Sequence, residues 1–468
     1  MAKQLKVLFV IKQLDYADHI AIPYLSAIAK QLGWSTDLCV IDNVDLSNKI
    51  GLYQPDVVAY SANILSFDAM VSSNETAQKK HKYISIMGGP HPTFSSETFS
   101  RSGVDAYCVG EGELAFREFL IRIENNRTFD DVPNLVTATG RNDVCNLIDD
   151  LDNLPFPDRD ITLSATYLKN TPKKTFFTTR GCPFSCNYCC NNHYKRLYQG
   201  KGRLVRRFSA ERVLKEIEYV RSHYRMDFIK FGDDLFAMKV DDWLLEFVEG
   251  YSQRIDLPFN CYLRFDRVDP ELLGLLKKAG CYSVHLSVDS TSEFVREKVF
   301  GRKMRKVDIA KELRLINSFG INTWVNYMLA APDSTLDDDL ATIALNKRSK
   351  VTYAAYSTTV PMKGTILYDY CVERKLIDPE THIGDMSGCT KISTLNSISD
   401  SEKKIRFNIF LLGAVITKLP FPLDRFALQM IKIIPPNRLF SKIRQLYYQY
   451  FIENKIFNLH WRDHRPGS

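Results

Sequence analysis

The chain lacks a long uninterrupted hydrophobic run. Its longest apolar stretch, Ile409 to Leu419, is too short to cross a bilayer and contains Lys418. Near the N-terminus the apolar run covers only Val7 to Ile11, which predicts a buried strand rather than a secretory segment. Repeats of solenoid length and low-complexity tracts are absent as well. We therefore expect a globular protein without a transmembrane segment.

A strong charge of either sign is also missing. The 468 residues contain 62 Lys and Arg against 55 Asp and Glu, a net charge of +7 that is mild for this length. This balance predicts a solvated, slightly basic surface and falls short of a nucleic-acid-binding signature. The eleven cysteines, without a signal segment, indicate a reducing cytoplasm rather than a disulfide scaffold. Hydrophobic residues make up 45% of a chain that is long enough for two or three domains.

Residues 1–140 alternate short apolar runs with segments of helical length. The runs that predict strands are residues 6–11, 36–41, 56–62, 83–89 and 105–110. Between the first two, Ile22 to Leu32 predicts a helix that Gly33 terminates. Apolar strands separated by helices indicate a parallel sheet covered on both faces, so the fold class is α/β with a doubly wound, Rossmann-like first domain. Ligands of such domains bind at the carboxyl ends of the strands.

The remaining chain divides into three segments. Residues 141–165, with the proline-bearing stretch LDNLPFPDRD, are predicted to be a linker. Residues 166–375 resume the alternation and predict a partial (βα)₆ barrel of the TIM type. Its predicted strands are residues 174–180, 227–232, 259–265, 282–288, 321–329 and 351–360. Residues 376–468 lack this alternation and predict a helical C-terminal segment.

Three cysteines follow the first barrel strand in C-x₃-C-x₂-C order. They are Cys182, Cys186 and Cys189. Three thiolates on one loop can ligate three irons of a 4Fe–4S cubane and leave the fourth iron open for chemistry. The alternatives are ordinary buried cysteines or a structural zinc site that also uses Cys190 and His193. Zinc sites favour paired C-x₂-C knuckles, and a second pair is absent here.

The cysteine motif, with Tyr188 before the third cysteine and a partial barrel around it, resembles the radical S-adenosylmethionine (SAM) superfamily. The resemblance implies that SAM chelates the open iron. It also implies that an electron from a donor such as flavodoxin or ferredoxin cleaves SAM to methionine and a 5′-deoxyadenosyl radical. The residues that it assigns to SAM are Tyr188, Gly232, Asp233, Asp234, Arg264, Ser287 and Asp289.

Five of these residues lie in two turns that follow barrel strands. Gly232, Asp233 and Asp234 stand where the family has a glycine-bearing turn for the methionine amino group, and a carboxylate suits an ammonium. Ser287 and Asp289 stand where the family has Gly and Glu in a turn that meets the ribose. In both places the chain departs from the family pattern.

A Rossmann-like domain ahead of such a barrel resembles the cobalamin-binding class of the superfamily, the class B methyltransferases. The residues that this resemblance assigns to cobalamin are Ser61, Gly88, Gly89, Pro90, His91, Glu111 and Gly112. Helix capping is an equal interpretation of Glu111 and Glu113, since acidic residues suit a helix N-terminus. The D-x-H-x-x-G element that provides a cobalt-ligating histidine is absent, because His19 merely follows Asp18.

The resemblance implies methylation of an unactivated carbon in a small-molecule or lipid-like substrate. Cobalamin-dependent cyclisation or rearrangement stays open, as does a non-catalytic cobalamin-binding metalloprotein. A methylthiotransferase would need a second cluster, for which Cys39, Cys108 and Cys145 are the available N-terminal thiols. The tail, residues 426–451, is predicted to pack on the barrel as core or lid, or to lie on a membrane or lipid substrate.

Overall fold

The computed structural model describes residues 4–14, 19–164, 166–304, 307–379 and 391–459. The chain forms two compact units. Unit 1 is Met1–Asn170 together with His193–Arg206, and unit 2 is Thr171–Asn192 together with Arg207–Ser468. The chain therefore enters unit 2, returns to unit 1 for fourteen residues directly after the cysteine motif, and then completes unit 2.

Unit 1 is built around one twisted sheet. Its strands are β1 (Lys6–Ile11), β2 (Ser35–Val40), β3 (Val57–Ser61), β4 (Ile84–Gly88), β5 (Ala106–Cys108), β6 (Leu135–Thr137) and β7 (Gly140–Arg141). Its helices are α1 (Ala21–Gln31), α2 (Leu46–Tyr53), α3 (Phe67–Gln78), α4 (Pro90–Phe94), α5 (Glu113–Glu124) and α6 (Asp160–Leu163). The strand order is β2-β1-β3-β4-β5-β6-β7, parallel from β2 to β5 and antiparallel at β6 and β7.

Alternate residues of β1 show why this sheet is covered on both faces. Val7, Phe9 and Ile11 belong to one hydrophobic core, whereas Leu8 and Val10 belong to the core on the opposite face. A strand that is buried on both faces has an unbroken run of apolar residues, and this run is what predicted β1 from the sequence. All five predicted parallel strands are confirmed, and the antiparallel pair β6–β7 was not predicted.

The predicted linker, residues 141–165, packs within unit 1. Leu151 and Arg159 are buried, and the Asp158 carboxylate accepts a hydrogen bond from the Ser26 hydroxyl at 2.5 Å and pairs with Lys30 at 2.7 Å. The first compact unit accordingly continues to Asn170.

Unit 2 contains a six-stranded parallel sheet with strictly sequential order. After unit 1 the strands are β8 (Lys173–Phe176), β9 (Thr179–Arg180), β10 (Arg206–Arg207), β11 (Phe228–Phe231), β12 (Phe259–Tyr262), β13 (Cys281–Asp289), β14 (Asn322–Leu329) and β15 (Tyr353–Thr358). The helix α7 (Asn191–Leu197) begins in unit 2 and continues into the stretch that returns to unit 1. The other helices are α8 (Ala210–His223), α9 (Asp242–Arg254), α10 (Pro270–Lys278), α11 (Ile309–Ser318), α12 (Leu336–Arg348), α13 (Ile366–Glu373), α14 (Asp400–Lys418), α15 (Leu423–Ile433) and α16 (Arg438–Phe451). The sheet order β8-β11-β12-β13-β14-β15 confirms the predicted partial barrel.

Three aromatic side chains stack across the inner face of this sheet. The His285 ring on β13 lies between Tyr262 on β12 and Trp324 on β14, with both centroid distances at 4.3 Å. Burial lowers the pKa of His285 to about 3, with a smaller effect from Lys230, so the imidazole is neutral. We call Tyr262, His285 and Trp324 the lumen stack.

The C-terminal helices pack beside the last strand of the barrel. α14 packs on α12 and β15, and both α15 and α16 pack on α14. Beyond α16, Ile456 and Phe457 join a core with Phe228, and the Ser283 hydroxyl donates to the Ile456 carbonyl at 2.7 Å. Phe228 and Ser283 lie near the amino ends of their strands, so the chain closes the barrel opposite the cysteine motif. Residues 380–390 and 460–468 of the predicted helical segment lie outside the described residues. Within the described part of the chain, no helix is long and apolar enough to cross a membrane.

Candidate functional site

The cysteine loop, residues 181–190, follows β9 in unit 2 and is anchored by Asn187. The Asn187 amide N–H donates to the Phe300 carbonyl at 2.8 Å, and its side-chain amide donates to the Val299 carbonyl at 3.0 Å. Gly301 makes this approach feasible, because a Cβ there would lie 2.5 Å from the Asn187 side-chain oxygen. The Cys189 N–H donates to the Cys186 carbonyl at 3.1 Å, which folds the loop back on itself.

A buried carboxylate fastens the backbone that leads into this loop. Asp233, which follows β11, accepts hydrogen bonds from the backbone N–H groups of Thr178 and Thr179 at 2.7 and 2.6 Å, and from both threonine hydroxyls. Burial raises the pKa of Asp233 to about 6, against these hydrogen bonds, which lower it. The carboxylate predicted to contact SAM is thus occupied by four bonds within the protein.

An ion pair lies beside Cys186. The Arg302 guanidinium is 3.0 Å from the Asp289 carboxylate, and it donates to the Ser287 carbonyl at 3.0 Å and to the Tyr188 hydroxyl at 3.3 Å. Tyr188 in turn donates to Asp289 at 2.6 Å, and a guanidinium nitrogen lies 4.0 Å from the Cys186 sulfur. We call these residues the Arg302 network. The structure therefore brings the predicted Tyr188, Ser287 and Asp289 together around an arginine that the sequence analysis did not identify.

Cys189 has a different environment. The Asn191 side chain donates to the Cys189 sulfur at 3.5 Å and to the Asp234 carboxylate at 3.0 Å. A hydrogen bond from the Cys190 thiol lowers the pKa of Cys189 to about 7, although burial acts in the opposite direction. Burial raises the pKa of Cys182 and of Cys186. Iron binding deprotonates thiols, so a metal would convert all three to ligands.

Two more predicted residues border the loop. Arg264 is buried against the Phe184 ring, with its guanidinium carbon 3.6 Å from the centroid, and it pairs with Asp266 at 2.8 Å. Gly232 leaves room for Phe177, because a Cβ at Gly232 would lie 2.6 Å from that ring. Arg264 therefore contacts the cysteine loop directly, whereas Gly232 accommodates a ring that precedes it.

The donor set fits an iron–sulfur cluster. The three cysteines lie on one loop at the carboxyl ends of the barrel strands, where barrel chemistry is located. Among the described residues, no three His, Cys, Asp or Glu side chains converge on one point that could hold a single metal ion. A cubane distributes its protein thiolates over separate irons and does not require such convergence.

In unit 1 the predicted turns lie at the carboxyl ends of β3 and β4. Ser61 ends β3, and Gly88 ends β4. Gly89 has a φ of 101°, and a Cβ there would lie 2.7 Å from the Ala62 carbonyl oxygen. The backbone at Gly89 therefore packs closely on Ala62, and the turn consists of small residues. Such a turn suits a large planar ligand that must approach the backbone.

His91 follows Pro90, the first residue of α4, and its ring is buried in the turn. The imidazole stacks on Phe67 at a centroid distance of 3.8 Å, and its Nε2 lies 3.0 Å from the Thr98 hydroxyl. Burial lowers the pKa of His91 to about 4, so the ring is neutral. Its Nδ1 is buried without a hydrogen-bond partner, a polar atom that a bound group or a water could satisfy. For His19, the preceding Asp18 lies outside the described residues.

The turn before α5 is filled by Tyr198. The Glu111 N–H donates to the Tyr198 hydroxyl at 2.7 Å, and a Cβ at Gly110 would lie only 2.1 Å from that oxygen. The Glu111 carboxylate is paired with Arg206, and Gly112 is the N-cap residue of α5. The carboxylate predicted for cobalamin or for helix capping is therefore engaged in an ion pair within unit 1.

Family models match both units. Residues 176–343 match the radical SAM superfamily, and residues 9–120 match the B12 binding domain. The chain is 24% identical over 374 residues to an uncharacterized methyltransferase of Pyrococcus horikoshii, covering 76% of this chain and 79% of that protein. It is 24% identical over 309 residues to the hopanoid C-3 methylase of Methylococcus capsulatus, covering 64% of this chain and 57% of that protein.

A solved structure shares the fold. The cobalamin-dependent S-adenosylmethionine radical enzyme OxsB, with aqua-cobalamin and S-adenosylmethionine bound, superposes with a TM-score of 0.69 at 17% identity, covering 97% of this chain and 73% of that one. The two domain families imply a 4Fe–4S cluster, SAM and cobalamin as cofactors. The chain is therefore a radical SAM protein with an N-terminal B12-binding domain.

Proposed function

We propose that this protein is a cobalamin-dependent methyltransferase that methylates an unactivated carbon of a small molecule with an apolar part. The observation that carries the proposal is the three-cysteine loop at the carboxyl ends of the barrel strands, in one chain with a B12-binding domain. When bound, the cluster and SAM supply a radical that removes a hydrogen atom, and cobalamin supplies the methyl group.

The residues around the loop have separable roles in this proposal. Cys182, Cys186 and Cys189 hold the cluster, while Arg302 places a positive charge next to the sulfur of Cys186. Asp234 is the acidic side chain that suits the ammonium of the methionine part of SAM, because Asn191 orients its carboxylate from the Cys189 side. Asp233 holds the backbone that leads into the loop through its hydrogen bonds with Thr178 and Thr179.

An aromatic cavity lies in unit 2 and could take an apolar part of a ligand. Its volume is about 180 Å³. Its lining residues come from β14, β15, α14 and α16, and they are Trp324, Tyr353, Ala354, Ala355, Tyr356, Phe410, Leu411, Ala414, Val415, Arg444, Tyr447 and Tyr448. Trp324 belongs both to this cavity and to the lumen stack. Trp324 and Tyr353 lie near the amino ends of β14 and β15, so the cavity adjoins the inner face of the barrel at the end away from the cysteine loop. Its aromatic lining favours hydrocarbon over strongly polar groups.

The structure disfavours a methylthiotransferase with a second cluster. Cys39 lies in β2 and Cys108 in β5, and burial raises their pKa values to about 11 and about 12. Buried thiols of this kind behave as small hydrophobic side chains. A single cluster predicts about four irons per chain, whereas two clusters predict about eight.

Anaerobic reconstitution with iron and sulfide tests the proposal. We expect about four irons per chain, a shifted absorption spectrum on addition of hydroxocobalamin, and formation of 5′-deoxyadenosine and S-adenosylhomocysteine from SAM under reductant. Cys186→Ala is expected to lose the cluster, whereas Cys190→Ala is the matched control that keeps it. Protein that holds only zinc, or Cys186→Ala protein with a full cluster, would contradict the ligand assignment.

A further inference from the structure

The two last helices of the described chain leave an unusual amount of apolar surface exposed. On α15 only Ile431 is buried, and on α16 only Phe440. Seven of the 21 exposed large hydrophobic side chains in the described residues lie within residues 421–450. They are Phe421, Leu423, Phe426, Ile433, Leu439, Leu446 and Tyr450. Exposed apolar side chains that are concentrated in one short segment indicate an interaction surface, whereas isolated ones are ordinary on a protein surface.

The exposed apolar residues of α15 form one stripe. Leu423, Phe426 and Ile433 are spaced i, i+3 and i+10, which places them on one side of a helix, and they are 54%, 67% and 79% exposed. Arg425 and Lys432 lie next to this stripe and are exposed as well.

α16 repeats the arrangement. Leu439, Leu446 and Tyr450 follow the i, i+7, i+11 spacing of one helix side and are 63%, 59% and 48% exposed. Arg438 and Lys442 are exposed beside them. Each helix therefore has a buried side that faces α14, and an outer side with an apolar stripe bordered by basic residues.

The segment is basic overall. Residues 421–450 contain five Lys or Arg and a single acidic residue, Asp424, for a net charge of +4. The Asp424 carboxylate is paired with Lys347 of α12, so the outer surface has almost no compensating negative charge.

We propose that residues 421–450 dock this protein peripherally on an anionic lipid surface. An amphipathic helix with a basic border inserts its apolar stripe at the headgroup boundary, and the basic residues are attracted to anionic lipids. A second copy of the chain is a poorer occupant, because two such surfaces would bring charges of the same sign together. Docking would present α16, which lines the aromatic cavity through Arg444, Tyr447 and Tyr448, to the membrane.

Vesicle sedimentation of the full chain tests the proposal. We expect the protein to sediment with vesicles of equal parts phosphatidylglycerol and phosphatidylcholine, and to stay in solution with phosphatidylcholine alone. Added salt should weaken this binding, because exposed charges are screened. The double variant Phe426→Ser/Ile433→Ser is expected to bind at least tenfold more weakly, since burying a large apolar side chain is worth about tenfold or more in affinity. Leu52→Ser, at an 86% exposed position of unit 1, is the matched control without effect.

The charges are tested separately. Lys432→Gln/Lys442→Gln is expected to weaken binding about fivefold per residue, since each basic side chain near an anionic surface contributes about 1 kcal/mol. Lys79→Gln/Lys80→Gln, at exposed positions of unit 1, should bind like the unchanged protein. Unchanged circular dichroism melting of all variants establishes that they fold. Equal sedimentation with both vesicle types, or a chromatographic dimer that Phe426→Ser/Ile433→Ser dissociates, would overturn the proposal.

Discussion

Replacing Arg302 by Met tests how the surroundings of the cluster are held. The Arg302 guanidinium and the Asp289 carboxylate are 9% and 3% exposed, so the ion pair is almost entirely shielded from water. Removal of the cation leaves Asp289 buried, with a hydrogen bond from the Tyr188 hydroxyl but no positive charge beside it. Breaking a buried pair from one side costs about 3–5 kcal/mol. We expect Arg302→Met to lower the free energy of unfolding of unit 2 by that amount.

The double variant Arg302→Met/Asp289→Asn separates charge from packing, because asparagine tolerates the φ of 65° at position 289. It removes both buried charges and leaves the Ser287 carbonyl without its Arg302 donor, which costs about 1–3 kcal/mol. We therefore expect the double variant to be more stable than Arg302→Met alone, with a coupling of about 2 kcal/mol or more between the two sites.

Hydrogen exchange in urea measures these differences. Peptides that cover β13 and β14 report on unit 2 without a contribution from unit 1. A loss of less than about 1 kcal/mol in Arg302→Met, or a double variant that loses the sum of the two single variants, would refute the reasoning. Iron retention after desalting gives a second readout, since the variant also loses the positive charge beside Cys186.

Further predictions concern three positions away from the ion pair, namely Gly33, Gly110 and Asp233. Gly110 and Gly33 both have a φ of 84°, but a Cβ at Gly33 meets nothing within 4 Å, whereas one at Gly110 meets the Tyr198 hydroxyl. In hydrogen exchange of peptides from unit 1 of the full chain, we expect Gly33→Ala to cost about 1 kcal/mol from backbone strain alone. Gly110→Ala should cost clearly more, because Tyr198 must move; equal costs would show that Tyr198 adapts freely. For Asp233, the raised pKa means that the folded state binds a proton more tightly than the unfolded state, so stability falls as pH rises from 3.8 to about 6. Asp233→Asn is expected to remove this decline, up to about 3 kcal/mol between pH 4 and pH 7 in urea unfolding, and an unchanged slope would show that another group titrates.

The sequence predicted the parts of the fold that local pattern determines. The parallel strands are unbroken apolar runs such as β1, and the cysteine loop directly follows a strand, so both could be located without a structure. The strands β6 and β7 were missed because they are only three and two residues long and lack an apolar run. The structure brings the predicted site residues Tyr188, Ser287 and Asp289 together around Arg302, and their contact with SAM stays a prediction.

The role of Asp233 depends on strand pairing and could not be predicted from the motif alone. β8 and β11 pair with Lys173 opposite Phe228, and this register places the residues after β11 beside Thr178 and Thr179. Only then is it evident that Asp233 supports the loop while Asp234 faces Asn191.

Arg302 was missed for a related reason. It lies more than a hundred positions beyond Cys186 in a stretch without a recognisable motif, and only the folded barrel brings the two together. The neighbouring Gly301 carried a weak signal, since its close approach to Asn187 requires a residue without a side chain.

The return of residues 193–206 to unit 1 has a consequence for biosynthesis. Tyr198 and Arg206 complete the turn before α5. Unit 1 can therefore finish folding only after the chain has left the ribosome as far as Arg206, with the whole cysteine loop included. A fragment that begins at Thr171 would carry Tyr198 and Arg206 without their partners, and a fragment that ends at Asn170 would expose the polar groups that they satisfy. The two units are interleaved along the chain, so neither can be excised by a single cut.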